Sequence, residues 1–143
     1  MGFSTRTMRA SDWASIQHFA PSEFVRPDLL GFEFMRWLDG VRQEAGVPMV
    51  ITSSYRTPAH NAAVGGARNS AHCLVPCNCV DIGERPRPDD PNWTRSRYLI
   101  LRAAIRNGCE RIGSYADGSL HLDRAEATHP HPAMWRVVGA LPR

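Results

Sequence analysis

The chain has 143 residues, enough for one hydrophobic core, and we expect a single domain over residues 1–143. Its 43% hydrophobic and 22% charged residues are typical of a globular protein, and no run of about 20 apolar residues could span a bilayer. The net charge of +3 comes from arginines scattered along the chain. This argues against nucleic-acid binding, which requires a clustered basic surface.

A long helix is predicted in the first third of the chain. Residues 11–27 indicate a loop with one helical turn. Over residues 28–45 apolar residues recur at helical spacing, and Asp28 and Gly46 are suited to cap the start and the end. The predicted apolar face consists of Leu30, Phe34, Leu38, Val41 and Ala45.

Two short strands and a short helix follow. The β-branched run at residues 47–56 predicts a buried strand. Residues 57–65 predict a short helix with Pro58 in its first turn, and residues 65–70 predict a turn or loop. Residues 79–83 predict the second short strand.

The second strong helix is predicted over residues 94–107, after a surface loop at residues 84–92 that is rich in Pro and Asp. Gly108 is placed to end this helix. Its predicted apolar face consists of Tyr98, Leu101 and Ile105.

A hairpin is predicted next, from short strands at residues 111–115 and 119–123. In the tail, prolines prevent a helix until a last predicted helical turn at residues 134–138. Short strands, a hairpin and two long helices favour an α+β fold with a mostly antiparallel sheet.

Four cysteines leave three interpretations open, a thiolate metal site, a disulfide or simple packing in a loop. Cys73, Cys77 and Cys79 are spaced CxxxC and CxC, unlike the CxxC of most structural zinc sites. A disulfide, in which Cys109 could take part, would be unusual in a cytosolic protein.

Three residues in or near short apolar strands point to a metal. Asp81 lies within such a strand, where a carboxylate is costly unless it is paired or bound to a cation. In the next strand His121 shares a face with Ser119 or Asp123. With His72 the set is two imidazoles and one carboxylate, which is typical of catalytic zinc with one position left for water.

An ordered series of motifs connects these residues. It runs through Ser54, Tyr55, Arg56, Asn61, Gly65, Gly66, Ser70, His72, Asp81, Gly113, Tyr115, His121 and Asp123. The series resembles the core of the D-alanyl-D-alanine carboxypeptidase family of zinc peptidases, peptidase M15. That family shares its fold with vancomycin-resistance dipeptidases, phage endopeptidases and the Hedgehog signalling domain. Residues 18–24 also resemble the branch found in phage and bacterial wall proteins.

The resemblance implies an α+β, Hedgehog/DD-peptidase-like fold, in which a small, mostly antiparallel sheet packs with helices. The domain core would lie at about residues 13–125, with a C-terminal tail at residues 126–143. The resemblance also implies zinc (Zn2+) as cofactor, held by His72, Asp81 and His121.

Two further residues receive roles from the same resemblance. Arg56 would reach into the cleft, where its guanidinium stabilises the oxyanion or binds a substrate carboxylate. Its alternative role is a structural ion pair. Ser70 would hydrogen-bond the substrate or hold the loop.

The chain departs from the family pattern between two of the expected ligands. His72 and Asp81 are nine positions apart where the family has seven, and Cys77 and Cys79 stand where Gly and Ala are expected. Either the loop bulges outward and keeps both ligands in place, or Cys73, Cys77 or Cys79 joins or replaces a ligand.

The general base is a second departure. Relatives place an acid or a histidine three residues before the last zinc ligand, and here that position is Gly118. Asp117 and Asp123 are the candidates, although Asp123 could instead orient a ligand.

We therefore expect a zinc metallopeptidase that hydrolyses peptidoglycan stem peptides, as a D-Ala-D-Ala carboxypeptidase or a phage-type endopeptidase. The alternative is a zinc-containing, weakly active or inactive module of the same fold that binds a wall peptide or a protein. The N-terminal residues lack the apolar core of a signal peptide. We expect a monomer made in the cytoplasm that acts on the cell wall, delivered by a phage.

Overall fold

The computed structural model of the chain describes residue 3, residues 5–83 and residues 91–137. It contains the helices α1 (Phe32–Ala45), α2 (Pro58–Ala63) and α3 (Pro91–Arg106). Its strands are β1 (Ile51–Ser53), β2 (Cys79–Ile82), β3 (Arg111–Tyr115), β4 (Leu120–Asp123) and β5 (Ala133–Val137). The predicted surface loop at residues 84–92 lies outside the described residues except for its last two, which begin α3.

The strands form one five-stranded sheet in the order β1-β2-β4-β3-β5. The pairs β1–β2, β2–β4 and β3–β4 are antiparallel, and β3–β5 is parallel. The predicted hairpin is β3–β4. The α+β fold with a mostly antiparallel sheet is confirmed.

The two faces of this sheet differ sharply in chemistry. Because side chains alternate along a strand, Val80 and Ile82 of β2 share one face with Leu120 and Leu122 of β4. All four are buried and belong to one core cluster with apolar residues of α1 and α3. The other face carries the polar residues between them, and the register sets Asp81 opposite His121.

Helix α1 buries the predicted apolar face but begins later than expected. Asp28 does not cap it, because its carboxylate accepts two hydrogen bonds from Arg26 instead. A 3-10 turn at Pro27–Leu29 is followed by extended backbone at Leu30 and Gly31, since Cys77 N–H donates to Leu29 O and Gly31 N–H donates to Cys77 O. The predicted stop is confirmed, with Gly46 in the left-handed region at a φ of +67°.

Helix α3 presents a different face from the one predicted. Tyr98 and Ile105 are 63% and 57% exposed, whereas Ile100, Ala103 and Ala104 are buried. The buried face of α3 is therefore turned from the predicted one, although Leu101 of the predicted face still packs against the core.

One predicted strand is shorter than expected, and one predicted helical turn was wrong. The predicted strand at residues 47–56 is reduced to β1, because only this part pairs with β2. The predicted helical turn at residues 134–138 is the strand β5 in its described part. Its pairing with β3 is continued by Ala133 N–H, which donates to Glu110 O at 2.7 Å. Pairing with the distant strand β3 therefore determined the conformation of this segment.

Gly113 of β3 makes the close packing of β5 possible. A Cβ at this position would lie 2.6 Å from Trp135 Nε1 and 3.1 Å from His121 Cβ. Only glycine therefore lets the Trp135 indole lie across the strand beside His121. In the described part of the chain, no helix has the length and apolar character needed to cross a membrane.

Candidate functional site

Two imidazoles converge on one carboxylate oxygen on the polar face of the sheet. His72 Nε2 lies 3.3 Å from Asp81 Oδ1, and His121 Nδ1 lies 3.1 Å from the same oxygen. All three residues are at least 95% buried. Nitrogen and oxygen ligands at about 2.0–2.2 Å from a tetrahedral zinc lie roughly 3.3 Å from one another. The two distances from Asp81 Oδ1 to the imidazole nitrogens therefore fit such an ion.

His72 is oriented by the backbone. Its Nδ1 lies 2.6 Å from Ser54 O, and a carbonyl only accepts, so Nδ1 carries a proton; in the neutral ring, Nε2 then has a free lone pair. Nε2 is buried and makes no hydrogen bond within the described part of the chain. A lone pair fixed in this way by the other ring nitrogen is the usual state of a histidine that binds a metal. This atom is the strongest indication that a cation belongs here.

His121 is held between two carboxylates. Its Nε2 lies 2.6 Å from Asp123 Oδ2, and its Nδ1 faces Asp81. Burial lowers the pKa of His121, but the hydrogen bonds to Asp123 and Asp81 outweigh it and raise the pKa to about 9. Without a metal, His121 therefore carries protons on both nitrogens at neutral pH. The Nδ1 proton must leave when a cation takes its place.

Asp81 stays ionised despite complete burial. Burial alone would raise its pKa, but the hydrogen bond from His121 and the close approach of the His72 imidazole hold the pKa far below its usual range. Two further donors fix the carboxylate, because Tyr115 Oη donates to Oδ1 at 2.9 Å and Arg56 Nη2 donates to Oδ2 at 3.2 Å. A charged carboxylate at this depth is the donor that a hard cation requires.

Arg56 is 8% exposed and is anchored by three hydrogen bonds. Its Nε donates to Ser53 Oγ at 3.1 Å, and its Nη1 donates to Asn61 Oδ1 at 3.3 Å, in addition to the bond to Asp81. These bonds use three of the five N–H groups of a guanidinium. Arg56 is thus a structural ion pair and also has N–H groups to offer to a ligand.

A cavity of about 250 Å³ opens beside these residues. Four of the seven predicted site residues line it, namely Arg56, Ser70, His72 and His121. The Ser70 hydroxyl also accepts a hydrogen bond from His72 N–H at 3.2 Å, so it fixes the turn that carries His72. Asp81 lies behind the two histidines and is fully buried.

The two carboxylates predicted as general bases do not line this cavity. Asp117 Oδ1 accepts hydrogen bonds from Ser119 N–H at 2.9 Å and from Ser119 Oγ at 2.6 Å, in the β3–β4 turn. Asp123 Oδ1 accepts from Arg111 Nε at 2.6 Å, while its Oδ2 faces His121. These contacts suit an orienting role for Asp123.

The cysteines are free thiols, and one of them lies against the site. The ligand atoms of His72, Cys79 and His121 all lie within 4.8 Å of one another, which makes these residues a second possible ligand set. Cys79 Sγ, however, is 3.8 Å from both ring nitrogens of His121. Because these two distances are equal, the Cys79 sulfur lies against the His121 ring and is not directed at the lone pair of one nitrogen. Burial also raises the pKa of Cys79 well above its usual value.

One wall of the cavity was not predicted from the sequence. Arg111, His129 and Trp135 line it, and the Trp135 ring lies 5.1 Å from the His121 ring. No local signal marked these residues, because only the pairing of β5 with β3 brings Trp135 to the site. Tyr115 belonged to a motif, but its contact with Asp81 was not foreseen.

Comparison with known families identifies the chain independently of this geometry. The family model described as Peptidase M15 matches residues 9–123, which is most of the chain and includes His72, Asp81 and His121. A search of curated proteins gives no match. M15 peptidases are zinc-dependent, which agrees with the buried donor set. The chain therefore belongs to the peptidase M15 family.

Proposed function

We propose that the protein is a zinc metallopeptidase that hydrolyses peptidoglycan stem peptides, with zinc held by His72, Asp81 and His121. One observation carries the proposal. His72 Nε2 and His121 Nδ1 face the same Asp81 oxygen at 3.3 and 3.1 Å, at the spacing of ligands around one ion. Membership of the M15 family supports the same cofactor and reaction.

The protein groups around the ion have distinct tasks. When bound, zinc supplies the Lewis acidity for hydrolysis of an amide. Asp123 accepts from His121 Nε2–H and so directs the Nδ1 lone pair toward the ligand position. Tyr115 and Arg56 fix Asp81 from two sides.

Arg56 and Ser70 are the proposed substrate contacts. Arg56 lines the cavity and has N–H groups for the developing oxyanion or for a substrate carboxylate. Ser70, at the rim of the same cavity, would accept or donate a hydrogen bond to the peptide.

Asp117 is our proposed proton acceptor, with Asp123 as the alternative. Asp117 lies in the turn that leads into β4, four residues before His121. Its bonds to Ser119 would have to be exchanged for a bond to water during the reaction. Asp123 already has three partners, His121, Arg111 and Ala125, which favours an orienting task.

A second function has one observation in its favour. Neither Asp117 nor Asp123 lines the cavity, so neither of the two predicted bases is in place beside the site as it stands. A zinc-containing module that binds a wall peptide or a protein and cleaves poorly would need no base. The two functions differ in turnover, not in metal content.

We also propose that the protein acts as a monomer on the cell wall and reaches it by way of a phage. The carboxypeptidase and endopeptidase modes are separated by the products. Cleavage of the terminal D-alanine indicates the first, and cleavage within a longer stem peptide indicates the second.

The deciding experiment measures metal content by mass spectrometry on protein purified without chelator. We expect about one zinc per chain in the wild type, its loss in His121→Ala, and its retention in the matched variant Cys79→Ser. Zinc that survives His121→Ala, or that is lost in Cys79→Ser, would refute the proposed ligand set. Stem-peptide turnover by the loaded wild type then separates the enzyme from the binding module.

A further inference from the structure

A second arginine borders the cavity, on the far side of the metal site from Arg56. Arg111 belongs to β3, and Arg56 follows the edge strand β1. Strands β2 and β4, which carry Asp81 and His121, lie between them. A peptide bound across the polar face would therefore meet a guanidinium on each side of the reacting centre.

Arg111 is held rigidly from three directions. Its Nε donates to Asp123 Oδ1 at 2.6 Å, its Nη1 donates to Pro130 O at 2.6 Å, and its Cζ lies 4.9 Å from the centre of the Trp135 ring. It is only 7% exposed. The hydrogen bonds use two of five N–H groups, so the remaining groups are fixed in place without further loss of side-chain entropy.

The charges around the cavity favour an anion once a metal is present. Each arginine is paired with one buried carboxylate, Arg56 with Asp81 and Arg111 with Asp123. These two pairs cancel, so a bound dication leaves the site with an excess of positive charge. No carboxylate is among the described residues that line the cavity.

We propose that Arg111 is a second anion-binding residue of the cleft, which binds a carboxylate of the peptide beside the cleaved bond. This inference rests on the proposed function and adds a specificity-determining residue to it. The carboxylate comes either from the C-terminus or from an acidic side chain of the peptide. Both present the planar pair of oxygens that a guanidinium binds best.

The test compares kcat/KM for three matched stem peptides on zinc-loaded protein. One peptide has a free C-terminal acid, one has a C-terminal amide, and one has Gln in place of its acidic residue. We expect the wild type to prefer one acidic form by about tenfold or more over its neutral counterpart. Which neutral peptide is disfavoured identifies the source of the carboxylate.

Variants assign this preference to Arg111. In Arg111→Gln the acid-to-neutral ratio should fall to near one, and in Arg111→Lys part of it should remain because the charge is kept. The control Arg102→Gln, on the exposed side of α3, should keep the wild-type ratio. Metal content is measured for each variant, since Arg111 also holds Asp123. Loss of metal would lower kcat/KM for the acid and the neutral peptides by the same factor, so the ratio of the two would not change.

Two results would overturn the inference. One is a wild type that does not distinguish acid from neutral peptides, and the other is an Arg111→Gln protein that keeps the full ratio. If the wild type cleaves none of the peptides, the proposed function fails by itself. In that case the ratio of binding affinities for acid and neutral peptides, measured by calorimetry in the wild type and in Arg111→Gln, decides the role of Arg111.

Discussion

The two faces of the central sheet are built from alternate residues of the same strands, yet they are stabilised differently. On one face Leu122 packs in the apolar core, and this packing needs no charged partner or metal ion. On the other face the adjacent His121 is buried among charged groups that pair with one another and that we propose bind a cation. Stability of the first face should be independent of metal, whereas order in the second should depend on it.

The largest effect should come from the core face. Leu122→Ala removes a fully buried side chain and should lower the free energy of unfolding by about 2–5 kcal/mol. Chemical denaturation with and without zinc should give the same loss. The neighbouring variant His121→Ala should instead abolish the stabilisation by zinc. Equal zinc dependence in both variants would contradict the division between the faces.

The next effect concerns the reaction. If Asp117 is the proton acceptor, Asp117→Ala and Asp117→Asn should both lower kcat by about 10²–10⁴-fold, because neither can take a proton. If it only caps the turn, Asp117→Asn should keep most of the activity, since its amide oxygen can still accept from Ser119. Thermal denaturation of both variants checks that the turn is intact.

A smaller change is expected for the residue that orients His121. Asp123→Asn keeps the shape of the carboxylate but weakens its hold on the imidazole, and should reduce zinc affinity by about 10–100-fold. Competition with a chelator measures the affinity. Asp12→Asn is a suitable control, because Asp12 pairs with Arg6 far from the site in the sequence. If the zinc affinity of Asp123→Asn is unchanged, contacts other than Asp123 determine which nitrogen of His121 carries the proton.

The smallest effect tests the cysteines. Burial raises the pKa of Cys77 to about 12 and that of Cys109 to about 11, whereas Cys73 is partly exposed. Alkylation of the native protein at mildly alkaline pH should therefore modify Cys73 first and leave the buried thiols largely unreacted. Mass spectrometry of the digested protein gives the order. Early modification of Cys79 would show that the polar face opens readily.

Part of the site was predictable from strand alternation and from the resemblance to the peptidase family. The alternation of β4 alone placed His121 and Asp123 on one face, and the motif series marked His72, Asp81 and Arg56 as belonging together. The long helix α1 was also predicted correctly along its apolar face, since its stripe is regular. Its start was not, because the chain before it is bound by Cys77 from a distant segment.

The sequence by itself determined the α+β class and the hairpin, and it pointed to His72, Asp81, His121 and Arg56 as a group. The tertiary structure decided which face of α3 is buried, that residues 133–137 form a strand, and that Arg111 and Trp135 complete the cavity. The physical reason is the range of the interactions. Periodicity and capping act between neighbours in sequence, whereas strand pairing and the balance of buried charges join segments that only the folded chain brings into contact.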